Sequence, residues 1–321
     1  MSRLYYYSYW VNKNTILSVI ASGDLCSDLS ITGPELRALL DLAIEVKQNA
    51  AEFATSLQGR YLSLLFEKPS LRTRLTFELA IQQLGGGSVA SIGPIADREP
   101  VKDIARNLDR WTNAIVARTF KQETIDELAE WSNVPVINAL SDMYHPCQIF
   151  ADLQTIEERF QTLAGLKLCF VGDGNNVAQS LLLSGARMGM KISIACPKGY
   201  EPNAKVMAQA AAFASESGGA VSVTNDVVEG VRASQIVYTD VWTSMGQEAE
   251  TTERVKTFAP FQVNGGLMGA AAKDAIFLHC MPAKRDQEVT DAVIESPQSL
   301  VFDQAENRLH AQKALLLMLL A

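Results

Sequence analysis

The chain has 321 residues, 48% of them hydrophobic and 20% charged. That balance excludes disorder and fibrous repeats and, at about 150 residues per domain, leaves room for two domains with separate cores. The net charge of -8, from 28 basic and 36 acidic side chains without a basic run, argues against a partner held by charge over a wide surface, such as nucleic acid or an anionic membrane.

The five cysteines, Cys26, Cys147, Cys169, Cys196 and Cys280, form no CxxC pair, which points to reduced thiols and a cytoplasmic protein. Residues 1–23 read as a poorly determined extension, with a targeting role as the alternative, since chain ends are commonly disordered unless tied down. The apolar stretch Thr15 to Ala21 within it is too short to span a bilayer and lacks the basic flank of a targeting peptide.

From Gly33 onward helix and strand patterns alternate, which is the mark of a parallel sheet flanked by helices. The first half predicts helices over Pro34–Leu57, Leu71–Leu84, Val101–Trp111, Thr124–Trp131 and Pro146–Phe160. Its strands fall at Tyr61–Phe66, Ser88–Ile92, Ala114–Ala117 and Val136–Asn138. Beyond the Ala164-Gly165 break, strands are expected at Lys167–Val171, Lys191–Ala195, Ala220–Val223, Gln235–Thr239 and Ala275–Leu278. The helices there are Val177–Met188, an Ala-rich one after Pro202 that Gly218-Gly219 stops, and the apolar Ala311–Leu320. The expected fold class is therefore α/β: two doubly wound parallel-sheet domains with a cleft between them. The domains are placed at 24–160 and 161–305, with 306–321 as a C-terminal helix packing back on the first.

In open α/β sheets ligands bind beyond the carboxyl ends of the strands, and polar residues concentrate there. After the first strand of the first half, Glu67-Lys68-Pro69-Ser70-Leu71-Arg72-Thr73-Arg74 leads into an amphipathic helix. With Ser70 as its cap, free backbone N–H groups, Thr73 and the guanidinium groups of Arg72 and Arg74 converge on an anion, phosphate above all. The alternative pairs the two arginines with Glu67 and Glu78 as surface charges. Arg118 follows another strand. His145 and Gln148, three apart at a helix start, can act together on a carbonyl oxygen, against the alternative of a capping, buried histidine.

In the second half, Gly172-Asp173-Gly174-Asn175-Asn176-Val177 resembles a dinucleotide fingerprint but lacks its third glycine and the later acid. The two asparagines are better read as groups for a polar ligand. Asp240 can hold an ammonium. His279 and Cys280, adjacent in extended chain, face opposite ways, so one of them is structural. A Cys-His nucleophile or a zinc site there finds little support, because the chain has 3 histidines and no cysteine at ligand spacing.

Five ordered motifs carry a resemblance over nearly the whole chain: KPSLRTR from Lys68, HPCQ from His145, DVWTSMG from Asp240, HCMP from His279 and ENRLH from Glu306. Together they resemble the aspartate/ornithine carbamoyltransferases, and the DVWTSMG loop with the cysteine of HCMP resembles the ornithine branch. The resemblance implies carbamoyl transfer from carbamoyl phosphate to the δ-amine of L-ornithine, giving citrulline and phosphate in arginine biosynthesis, without metal or cofactor. Carried over, Ser70, Leu71, Arg72, Thr73, Arg118, His145, Gln148, Cys280, Met281 and Arg308 hold carbamoyl phosphate. Asn176, Asp240, Ser244 and Met245 hold ornithine, and Arg72, His145, Asp240 and Cys280 are catalytic. It also implies a homotrimer in which a neighbouring chain lends the loop Ser91 to Pro100. Here Pro94 and Pro100 replace that loop's usual polar residues, and Arg98 is a candidate substitute. Transfer to another amine (acylated ornithine, putrescine or aspartate) and a non-catalytic carbamoyl phosphate sensor are the alternatives.

Overall fold

In the computed structural model, residues 10–12, 15–16, 19–68, 70–243 and 248–321 are described. They form two compact units, 1–141 with 308–321, and 142–307.

In the first unit, β1 (Trp10–Asn12) pairs antiparallel with β2 (Thr15–Ile16). Helix α1 (Gly33–Gln48) opens on a capping box: Thr32 Oγ1 accepts from the Glu35 N–H while Glu35 returns a carboxylate oxygen to the Thr32 N–H, which satisfies two otherwise orphaned donors. It was expected to reach Leu57. Instead Asn49 leaves helical geometry at φ −122°, ψ 39°, and Ala50–Phe53 tightens into a 3₁₀ turn.

The strands β3 (Tyr61–Phe66), β4 (Gly87–Ile92), β5 (Ala114–Arg118) and β6 (Val136–Leu140) make an all-parallel sheet in the order β4-β3-β5-β6. The connecting helices are α2 (Leu71–Gln83), α3 (Val101–Leu108) and α4 (Gln122–Trp131). Every residue of β3 after Tyr61 is buried, as befits a strand covered on both faces. One layer of the core packs Leu65, Ile115, Ala117 and Val136 against Val101, Ala105, Ile125 and Leu128.

The second unit includes α5 (Pro146–Phe160). Here β7 (Lys167–Val171), β8 (Lys191–Ala195), β9 (Ala220–Thr224), β10 (Ile236–Thr239) and β11 (Ile276–His279) form a parallel sheet in the order β11-β10-β7-β8-β9. Its longer helices are α6 (Asn176–Arg187) and α7 (Ala204–Ser217). The short helices α8 (Val227–Val231), α9 (Thr251–Phe258), α10 (Gly265–Met268) and α11 (Asp291–Ile294) were not foreseen, since one or two turns leave no readable periodicity. Helix α12 (Val301–Leu320) starts ahead of the predicted Ala311. Its first half was hidden because Gln304, Asn307 and Arg308 are polar yet buried.

Candidate functional site

Each sheet has a point at which the chain reverses its direction of growth, and polar residues gather at both. In the first sheet that point lies between β3 and β5. Arg118, the last residue of β5, donates from Nη1 to Ser70 Oγ at 3.0 Å. Ser70 occupies the cap position of α2 but makes no capping bond, contrary to expectation. The N–H groups of the first turn therefore lack a side-chain acceptor and face outward with the positive end of the helix dipole. Arg308 Nη2 donates to the buried Thr73 Oγ1 at 3.0 Å, which brings the ENRLH motif to the same turn. Half-buried Arg72 has no ion-pair partner among the described residues. Arg74 departs from the expected convergence: its Nε lies 3.5 Å from Glu78 Oε1 along the helix surface, the alternative reading. Glu67 accepts from the Phe120 N–H at 2.6 Å. The Leu71 side chain is exposed, so what it offers a ligand is its backbone at the helix start. Arg118 and Arg308, Ser70, Thr73 and an open helix N-terminus thus meet at one turn, a grouping whose chemistry suits an anion.

In the second sheet the reversal falls between β7 and β10. The turn after β7 needs glycine at two places: Gly172 has φ +142°, and a Cβ on Gly174 would meet Pro202 N at 2.3 Å. Asn175 caps α6 by accepting from the N–H groups of Val177 and Ala178, and its Nδ2 donates to Asp240 Oδ2 at 2.8 Å. One member of the asparagine pair is thus structural. Asn176 is the first residue of α6. Asp240 Oδ1 accepts from the Val241 N–H at 2.8 Å and from the Cys280 thiol at 3.0 Å, so the carboxylate and the thiol form one unit. Ser244 and Met245 lie outside the described residues.

Donor atoms of Asp240, His279 and Cys280 all lie within 4.8 Å of one another. His279 Nδ1 accepts from the Met281 N–H at 2.8 Å, which leaves the proton on Nε2 facing Glu288 Oε1 at 3.3 Å. Both ring nitrogens are thereby engaged, and His279 serves to hold the backbone of Met281, itself at φ 57°. His145 is buried at the cap position of α5 without a capping side-chain bond, and its N–H donates to Ser180 Oγ at 2.8 Å. Gln148 Nε2 donates one of its two N–H groups to Asp152 Oδ1 at 2.8 Å.

Two groups of buried residues escaped the sequence reading. Gln148, Tyr238 and Gln304 surround the Asp152 carboxylate, and burial with that carboxylate pushes the Tyr238 phenol well above its ordinary range. Arg254, on the unforeseen α9, pairs with Asp173, donates from Nε to the Trp242 carbonyl at 2.5 Å and lies over the rings of Tyr200 and Phe258. Burial raises the Asp173 carboxyl, and Arg254 offsets part of that rise. An aspartate in a helix and an arginine in an irregular stretch carry no local signal of such partners.

The carbamoyl-phosphate-binding domain model of the aspartate/ornithine carbamoyltransferases matches residues 24–158, and their Asp/Orn-binding domain model matches 164–319. The ornithine carbamoyltransferase of Gloeobacter violaceus is 49% identical over 297 residues, spanning 91% of this chain and 94% of that protein. The structure of ornithine carbamoyltransferase from Pyrococcus furiosus superposes with a TM-score of 0.91 at 45% identity, covering 95% of this chain and 99% of its own. An acetylornithine transcarbamylase complexed with acetylcitrulline superposes at 0.81 with 32% identity, over 90% and 96% of the two chains.

Proposed function

The chain belongs to the aspartate/ornithine carbamoyltransferase family, and from that membership we propose that it transfers the carbamoyl group of carbamoyl phosphate to the δ-amine of L-ornithine, releasing citrulline and phosphate in arginine biosynthesis. The observation that carries this reading is the pair of bonds Arg118–Ser70 and Arg308–Thr73, which gather two guanidinium groups at the open N-terminus of α2.

Ser70, the Leu71 backbone, Arg72, Thr73, Arg118 and Arg308 hold the phosphate, which departs with the C–O bond electrons as a stabilised anion. Arg72, Thr73 and His145 stabilise the charge that grows on the carbonyl oxygen as the neutral amine forms its C–N bond. Gln148, with its nitrogen engaged by Asp152, presents its oxygen to the carbamoyl NH₂. Asn176, Asp240, Ser244 and Met245 bind ornithine. Asp240 and Cys280 receive the proton that the δ-ammonium must lose, and Met281 adds its backbone carbonyl. Holding both reactants in place supplies much of the rate.

The test is citrulline formation with ornithine, acetylornithine, putrescine and aspartate offered separately. Turnover with ornithine is expected. Turnover with another amine alone would move the error to the Asp240 loop, and silence with all four, with carbamoyl phosphate still bound, would leave a sensor.

The assembly is a homotrimer in the cytoplasm. Support comes from an apolar surface on the first unit: the edge strand β4 exposes Val89 (68%) and Ile92, α2 exposes Leu75 and Leu79, and Trp111 (69% exposed) borders a groove of about 290 Å³ with Tyr61 and Leu65. Such a surface marks an association site, and the segment Ser91 to Pro100, which runs on from the end of β4 and carries Pro94 and Arg98, is then lent to the neighbour. Val89→Lys should reduce the mass measured by light scattering and reduce turnover with it. None of the five cysteines is in a disulfide, in keeping with a reducing compartment.

A further inference from the structure

We propose that Asp152 is a positioning residue for carbamoyl transfer, which rests on the function proposed above. Asp152 is 0% exposed and its carboxylate takes three hydrogen bonds. Oδ1 accepts from Gln148 Nε2 at 2.8 Å and from Gln304 Nε2 at 2.7 Å, and Oδ2 accepts from the Tyr238 hydroxyl at 2.9 Å.

The geometry of those donors gives the carboxylate a reach beyond its own helix. Gln148 lies four residues before Asp152 on α5, so the pair shares a face. A carboxylate only accepts, and the side of the Gln148 amide that faces it must therefore be the nitrogen. The oxygen of Gln148 is thereby turned away, in a fixed sense. Tyr238 stands two residues before Asp240 on β10. Gln304 uses its other end to accept from the His279 N–H at 2.9 Å, and His279 precedes Cys280. One buried acid thus ties together the segments that carry Gln148, Asp240 and Cys280.

A buried polar network of this kind also adds stability, and the two roles predict different kinetics. A stabilising role leaves the active fraction of Asp152→Asn with normal rate constants. A positioning role disturbs the Gln148 amide, because the carboxamide puts an NH₂ where one carboxylate oxygen accepted, and the three donors on Oδ1 and Oδ2 must rearrange around a single acceptor. Misplacement of a reacting group by a fraction of an ångström to one ångström costs up to about 100-fold in rate.

The experiment measures steady-state constants for both substrates in the full chain, together with thermal unfolding, for Asp152→Asn, Gln148→Ala and the double variant. We expect kcat/KM for carbamoyl phosphate to fall about 10- to 100-fold in Asp152→Asn while the KM for ornithine stays within about twofold. In the Gln148→Ala background the further loss should vanish, since there is no amide left to orient. Tyr238→Phe removes one donor and should give a smaller loss of the same selectivity; it carries the test if Asp152→Asn does not fold. Unchanged constants with lowered stability, a KM for ornithine that rises more than about fivefold, or additive losses in the double variant would each overturn the positioning role. A wild-type chain that forms no citrulline would overturn the underlying function instead.

Discussion

Ser70 sits where a serine would cap α2, yet its hydroxyl accepts from Arg118 Nη1 at 3.0 Å and leaves the helix uncapped. A cap worth about 1 kcal/mol is forgone, and the turn keeps its N–H groups for an anion. Arg118→Ala removes the guanidinium and frees Ser70 to cap. The KM for carbamoyl phosphate is expected to rise about 10- to 100-fold, the worth of a hydrogen bond from a charged donor, with unfolding temperature unchanged or slightly raised. Titration with phosphate and steady-state kinetics check both, and an unchanged KM would refute the cradle.

Asp240 accepts from Asn175, Val241 and Cys280 at once. In Asp240→Asn an amide nitrogen must face one of these donors, so both stability and activity should drop. About two decades in kcat/KM for ornithine are expected if the acid takes part in removing the ammonium proton. Cys280→Ser keeps a donor toward the carboxylate and should lose less than a tenth of that factor. Measuring both variants against ornithine separates the acid from its neighbour.

Three thiols are set apart by their surroundings. Burial pushes Cys26, Cys169 and Cys196 up to about 12, with the carboxylates of Asp24 and Asp126 adding to the effect at Cys26. Near pH 8 only about one in ten thousand of each is thiolate. Cys26 is half-buried, so for it slow alkylation reports the shift as well as access. Mass spectrometry after iodoacetamide treatment should show its labelling rate rising about tenfold per pH unit with no plateau below about pH 11. An inflection near the ordinary thiol range would refute the shift.

Lys313 on α12 is 3% exposed, and burial lowers its ammonium below the ordinary 10.5. Between that lowered value and 10.5 the unfolded chain holds more protons than the folded one, so stability rises with pH through this window and is lost as pH falls through the folded value. Lys313→Met keeps most of the volume without the charge. Its unfolding temperature should exceed that of the wild type by a few degrees at neutral pH, and the difference should close as pH approaches 10.5. Calorimetry across pH decides, and a variant less stable at neutral pH would show that the ammonium has a favourable partner.

The parts of this molecule that announce themselves in sequence are those fixed by local pattern. The apolar runs of β5, β7 and β10 and the polar residues at or just beyond their ends, Arg118, Asn175 and Asp240, were placed from strand ends alone. Ser70 was misread because a serine before a helix has two uses, and the choice depends on Arg118, 48 residues away. Arg308 was found only through its motif, since its contact with Thr73 spans 235 residues. Asp152 gave no signal at all: a single aspartate on a helix looks solvated until Tyr238 and Gln304, distant in the chain, are seen to close over it.

The first unit is built from two stretches of chain, leaving off at Ser141 and resuming at Arg308. A ribosome delivers them far apart in time. Residues 142–307 are contiguous and can close on themselves as they emerge, while Thr73, made much earlier, still waits for Arg308. The usual order of domain completion during synthesis, first made and first folded, is therefore reversed in this chain, and the anion cradle is the last part of the molecule to be finished.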